Sequence, residues 1–214
     1  MTTTRKQRQA HTRARLMSSA AELAARRGIE GTSLDAVAER AGFTKGAVYA
    51  NFGNKEELFL AMLDAHFDER LAELDRILST EADPDDQARE AAAGLMRVLA
   101  EEPEQHRLFF EFAAYAARHD DFREQLVARY RMLRERLAEL LAGRVERLGI
   151  DPVLPLDEVA AMAFAMANGM ALERLLEPDA VPDRLFGEMM ATFFTGLRAR
   201  AGVPVATAPP RTPR

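Results

Sequence analysis

The chain contains no cysteine. That absence removes disulfides, thiolate nucleophiles and thiolate metal ligands together, and it fits a reducing compartment. Tryptophan is missing as well, and histidine is scarce: His11, His66, His106 and His119 show no close metal-ligand spacing. No uninterrupted apolar run approaches the roughly 18 residues that a bilayer-spanning helix needs, and residues 1–10 are polar where a signal peptide would be apolar. The expectation is a soluble, cytoplasmic protein that uses no cofactor and no metal. Phosphate-cradling glycine loops and nucleophile-elbow strings are also absent. The many carboxylates fall mostly at helical surface positions, where solvated charge is their usual role. An enzyme is therefore not expected.

What is present begins with size and charge. A chain of 214 residues, 48% of them hydrophobic, accommodates one large core with a small appended module. The net charge of -5 is unevenly spread. Residues 1–55 hold ten Lys/Arg against four acids, a net +6, which leaves -11 on the remainder. A basic head on an acidic body points to a polyanionic partner for the head alone.

The periodicity is helical throughout, with no convincing strand alternation and no internal repeat, so the fold class expected is all-α. A first helix spans about residues 9–27 and stops at Gly28, leaving Arg5, Lys6 and Arg8 in a basic, disordered arm. Ser33 caps a short helix that ends near Arg40 at the left-handed stop Gly42. Thr44 caps a third helix of barely two turns, closed by Gly53. Asn54, with Glu57 three residues on, starts a long helix bearing Leu58, Met62, Phe67, Leu71, Leu74 and Leu78. Further helices are expected over about 84–102, from Pro103 through "HRLFFEFAAYAARH", over about 120–148, 156–176 and 182–201, with "GIDPVLP" as the clearest loop. This places an N-terminal three-helix domain over 1–53, a larger helical domain over 54–201, and a disordered tail over 202–214 ending in "TAPPRTPR".

Two short helices joined by "AGFT" have the dimensions of a helix-turn-helix. In that motif the second helix enters the major groove end-on, so its first residues are small or able to bond DNA while its inner face is anchored. Val37, Ala38, Ala41, Phe43, Val48 and Phe52 suit the anchor, and Thr44, Lys45, Gly46, Tyr49 and Asn51 are left to face outward. Gly46 is informative, because glycine costs roughly 1 kcal/mol in a helix relative to alanine and a two-turn helix tolerates it where close approach is wanted. Spacing alone equally allows an ordinary helical corner with a solvated lysine.

Taken whole, "GTSLDAVAERAGFTKGAVYANFGNKEELF", residues 31–59, resembles the DNA-binding domain of the TetR family of bacterial transcriptional regulators, and the match extends back through "AAELAARRGIEGTS". It covers roughly residues 10–60. The family's elements are Thr32-Ser33 at a helix start, the Ala41-Gly42 turn, Lys45-Gly46 opening the recognition helix, Tyr49 to Phe52, and Lys55-Glu56-Glu57-Leu58. The resemblance implies that Thr32, Ser33, Thr44, Tyr49 and Lys55 hold phosphates, while Lys45 and Gly46 lie closest to base edges. Asn51 stands where the family often has His or Tyr and keeps a phosphate role. The partner so implied is double-stranded DNA with a palindromic operator, and the mode of action is repression relieved by a small-molecule effector. The alternative is a helical ligand-binding or adaptor protein of the same fold that no longer binds DNA specifically.

For the rest of the chain two surfaces stand out. Leu185, Phe186, Met189, Met190, Phe193, Phe194 and Leu197 form a stripe too broad for a terminal helix with a wet outer side. A second copy of the chain covers it in a homodimer, with burial against residues 122–148 as the competing use. Phe109, Phe112 and Tyr115, with Met162, Met166 and Met170, supply adaptable apolar surface for a small, largely apolar effector. Glu111 and Asn168 are polar groups in apolar company that need partners, which a ligand, a backbone carbonyl or water can supply.

Overall fold

The structure is a computed structural model and describes residues 5–101 and 103–204, the side chains of 103–106 excepted. Among the described residues the chain folds into nine α-helices without a strand: α1 (Arg5–Arg27), α2 (Leu34–Ala41), α3 (Lys45–Tyr49), α4 (Lys55–Leu78), α5 (Pro84–Glu101), α6 (Pro103–Ala116), α7 (Asp120–Leu148), α8 (Leu156–Leu176) and α9 (Asp183–Arg200). The expected tail falls mainly on 205–214, outside the described residues. The basic arm departs from expectation, because Arg5, Lys6 and Arg8 belong to α1. The physical reason is local: "RKQRQA" holds no glycine, proline or β-branched residue, so nothing halts the helix before Arg5.

The described residues divide into two compact units, one within Met1–Arg70 and Val98–Leu133, the other within Leu71–Arg97 and Arg134–Arg214. The first unit is built around α1, α2 and α3. Leu16, Ala20 and Ala24 of α1, Val37 and Ala38 of α2, and Val48 of α3 are at most 2% exposed. Phe52, Leu58, Phe59 and Leu60 of the same unit are similarly buried. Helix α6 belongs to this same unit through Phe112, whose ring meets Phe59 edge-on at 6.2 Å, while Phe122 of α7 lies 6.1 Å from Phe112.

In the second unit α4 ends where Gln87, 1% exposed, donates its amide to the carbonyls of Ile77 and Thr80, both at 3.0 Å. Arg147 donates to the Leu78 carbonyl at 2.7 Å and satisfies another of the helix's last acceptors. Leu141, Val159 and Ala160 form a core cluster against which Leu137, Phe193, Phe194 and Leu197 pack. Helix α8 is long and apolar enough, by length and composition, to cross a bilayer. Its buried residues Val159, Ala160, Ala163, Met170 and Ala171 instead belong to the interior of this unit.

Candidate nucleic-acid interface

The turn between α2 and α3 is built by backbone chemistry that the sequence dictates. Gly42 takes a φ of 72°, in the left-handed region that disfavours other residues. Its amide donates to Glu39 O at 3.2 Å and that of Phe43 to Ala38 O at 2.9 Å, the paired bonds of a Schellman stop. Ser33 and Thr44 start the two helices: the Ser33 hydroxyl oxygen accepts from Ala36 N and that of Thr44 from Ala47 N, each at 3.2 Å. In both caps the oxygen is the acceptor, which leaves the hydroxyl proton available for an outside acceptor such as a phosphate.

Helix α1 braces this turn with two arginines. Arg15 donates to Ala41 O at 2.8 Å with its guanidinium 4.9 Å from the centre of the Phe43 ring. Arg13 donates to Asn51 O at 2.5 Å and lies 4.2 Å over Phe52. By sequence alone both count only among the ten basic residues of 1–55. Their local signal is a position three and one residues before the buried Leu16 and opposite an aromatic on either side of α3, which a single sequence cannot align.

With the anchor closed, α3 presents an open face. Thr44, Lys45 and Gly46 are exposed, and Tyr49 is 54% exposed although it is a large aromatic. A β-carbon placed on Gly46 would meet nothing nearer than Thr44 Oγ1 at 4.0 Å, so the protein's own packing does not require glycine there. Lys45 Nζ lies 2.5 Å from Asp35 Oδ2, and the hydrogen bond and charge of that carboxylate hold the lysine proton above its ordinary pKa.

Other expected DNA contacts are placed differently. Thr32 is only 3% exposed and its hydroxyl donates to Gly28 O at 2.8 Å, so it serves the α1–α2 turn from inside. Asn51 is half-buried, its amide returning to Ala47 O at 2.8 Å. Lys55 is half-buried too, its ammonium 3.4 Å from the carbonyls of both Ile29 and Glu30.

Two residues expected to meet a ligand hold the head instead. Glu111 Oε2 accepts from Ile29 N at 2.8 Å, which supplies the partner its apolar surroundings demanded. The Tyr115 hydroxyl donates to Glu56 Oε1 at 2.9 Å. Burial, then the Glu56 hydrogen bond and charge, push the Tyr115 phenol up to about 12, so it stays a neutral donor. Phe112 is core at 3% exposure, and Phe109 stacks on Tyr130 at 5.7 Å. On α8, Met162 is 39% exposed, Met166 and Asn168 are half-buried and Met170 is buried. Along α9, Phe186 is closed off within the chain at 3%, whereas Leu185 is 44% exposed and Met189 and Met190 are half-buried. Phe193, Phe194 and Leu197 are shared with the internal cluster, the competing use foreseen for that stripe.

An exposed, cation-bearing short helix set on a buried apolar base, entered through a left-handed glycine and capped by a threonine, defines the helix-turn-helix class of DNA-binding proteins. The comparisons with known proteins agree. The family model for bacterial regulatory proteins of the tetR family matches residues 16–62, and that for the C-terminal part of BetI-type transcriptional repressors matches residues 84–199. The HTH-type transcriptional repressor SCO4008 of Streptomyces coelicolor is 32% identical over 164 residues, spanning 73% of this chain and 77% of the relative. The uncharacterized HTH-type transcriptional regulator YfiR of Bacillus subtilis is 29% identical over 163 residues, with the same two shares. A solved structure of SmeT with triclosan has the same fold, with a TM-score of 0.69, 23% identity, and 95% of this chain and 100% of that one covered. The chain belongs to the TetR family of bacterial transcriptional regulators. It is a DNA-binding regulator and not an enzyme. Regulators of this family bind DNA operators, dimerise and bind small molecules.

Proposed function

We propose that this regulator is a cytoplasmic repressor that holds a palindromic operator as a homodimer and leaves it when a small, largely apolar effector binds. The observation that carries the reading is the open face of α3, where Thr44, Lys45, Gly46 and Tyr49 are exposed on a base closed by Val48 and Phe52. In this reading residues 1–53 are the DNA-binding head and 54–201 the effector and dimerisation body. Lys45 and Gly46 meet base edges, while Ser33, Thr44 and Tyr49 hold phosphates. So small a reader leaves much of the specificity to half-site spacing and DNA shape.

Dimerisation uses the side chains of α8 and α9 that one chain leaves open, among them Leu176, 72% exposed, and Leu185. For the effector, Phe109 on α6 and, separately, Met162, Met166 and Asn168 on α8 remain candidate contacts after Glu111 and Tyr115 are assigned to the head. Thioether side chains adapt to varied apolar ligands. Whatever the ligand, it lowers operator affinity only by its preference for the released state over the DNA-bound one.

The test is selection from a randomised duplex library at near-physiological salt, using protein refolded free of small molecules. Enrichment of a two-fold symmetric sequence, bound with an affinity that falls linearly in log-log form with salt, is the expected result. Sequence-blind retention would remove the operator reading and leave a ligand-binding adaptor of the same fold.

A further inference from the structure

We propose that Asp35 is a second base-reading residue: together with Lys45 it selects a G·C pair, Lys45 donating to the guanine edge and Asp35 accepting from the cytosine amino group. The inference rests on the reading of Lys45 as a base-contacting residue and deepens it. Asp35 sits in the first turn of α2 and Lys45 opens α3, ten residues later. The turn at Gly42 nevertheless brings Lys45 Nζ within 2.5 Å of Asp35 Oδ2.

Both side chains remain open, at 69% for Lys45 and 47% for Asp35, so the pair is presented outward beside the exposed Thr44 and Gly46. An ammonium carries three donors, and one bond to Asp35 leaves two for an outside acceptor. The carboxylate likewise keeps acceptor capacity on Oδ1.

A carboxylate on the DNA side of a head runs against simple electrostatics, since phosphates repel it. Its neighbourhood with Lys45 also cancels the charge that would otherwise attract phosphates without regard to sequence. What the pair offers is a donor set beside an acceptor, and in the major groove only the G·C edge presents N7 and O6 acceptors followed by the cytosine N4 donor. An A·T pair sets the thymine O4 acceptor and methyl group in that last place, facing the carboxylate with repulsion instead of a bond. Asp35 is therefore selective through its penalty against A·T as well as its bond to G·C.

The experiment uses full-length protein. An operator recovered with wild type is altered one base pair at a time through a half-site, and binding is measured for wild type, D35A, D35N and K45A, each first checked by thermal melting. K45A is expected to relax one G·C position. D35A is expected to relax that same pair about tenfold while binding random duplex more tightly than wild type, because a negative charge has left the DNA face. D35N, which keeps the side chain's shape, should relax the same position and carries the test where D35A melts early. If both Asp35 variants keep full discrimination at the position that K45A relaxes, Asp35 reads nothing and the inference is overturned while the reading of Lys45 stands. If K45A itself relaxes no position, the underlying reading of Lys45 fails with it.

Discussion

A single missing side chain separates the two demands placed on α3. Gly46 lies inside a helix at a position where a β-carbon would have room, and its φ is not positive. Nothing in the fold therefore opposes alanine there, and G46A is expected to stabilise the protein by up to about 1 kcal/mol. If the backbone at Gly46 lies against a base edge, the added methyl group lowers operator affinity. Opposite signs in a melting curve and in a DNA titration would check this, whereas equal or improved DNA binding would place Gly46 away from the bases. The head's apolar anchor and its caps were legible in the sequence because they rest on local rules: Ser33 and Thr44 before helices, Gly42 after one. Thr32, which the resemblance implies as a phosphate contact, turns its hydroxyl back to Gly28 O four residues earlier, a partner that the resemblance does not indicate.

Among the elements, α6 shows where sequence reading stops. Its boundaries follow from Pro103 and from the apolar run, yet the use of its polar residues depends on what packs beside it. Glu111 is 82 residues from its partner Ile29, and Tyr115 is 59 from Glu56. Long-range pairings of this kind leave no periodic trace. Gly28 is part of the same contact, since its φ is 72° and a β-carbon there would approach Glu111 Oε2 to 3.3 Å. E111A should leave the Ile29 amide without its partner, costing about 1–3 kcal/mol, and should weaken operator binding by loosening the α1–α2 turn. E111Q keeps an acceptor and should recover most of both; failure of E111A to alter either quantity would show that α6 does not position the head.

A second element-scale prediction concerns α5 and α9, joined where Asp85 accepts from Thr195 at 2.8 Å and Arg198 at 2.5 Å. Burial raises the Asp85 pKa, but these two donors and the charges of Arg198 and Arg89 outweigh it and leave the net shift downward. A carboxylate depressed in the folded state stabilises the fold above its unfolded pKa, and that contribution is lost as pH falls through the folded value. Wild type should therefore melt above D85N at pH 7, with the gap closing below about pH 4. A gap independent of pH would assign the effect to packing.

At the scale of the whole molecule, a small reader needs a second copy of itself. One chain leaves Leu172, Leu176 and Leu185 open on α8 and α9, at 39%, 72% and 44%. The breadth of the α9 stripe was visible in the sequence, but its division was not. Phe186 and the internal cluster around Leu141 take part of it, and only folding decides which apolar residues remain outside. Placing charges at L176E and L185E should shift sedimentation from dimer to monomer and reduce operator affinity without lowering helix content. An unchanged dimer would move the interface elsewhere.

The central claim, that the open face of α3 reads an operator, is tested most directly by comparing wild type with the double variant K45A/Y49A. The measurement is affinity for the selected operator and for random duplex, at one fixed salt concentration near physiological. Both side chains are exposed, so melting should barely change. The account predicts that the variant loses affinity for the operator by a larger factor than for random duplex, so that its preference for the operator shrinks with the fold intact. A folded variant that still prefers the operator as strongly as wild type would contradict it.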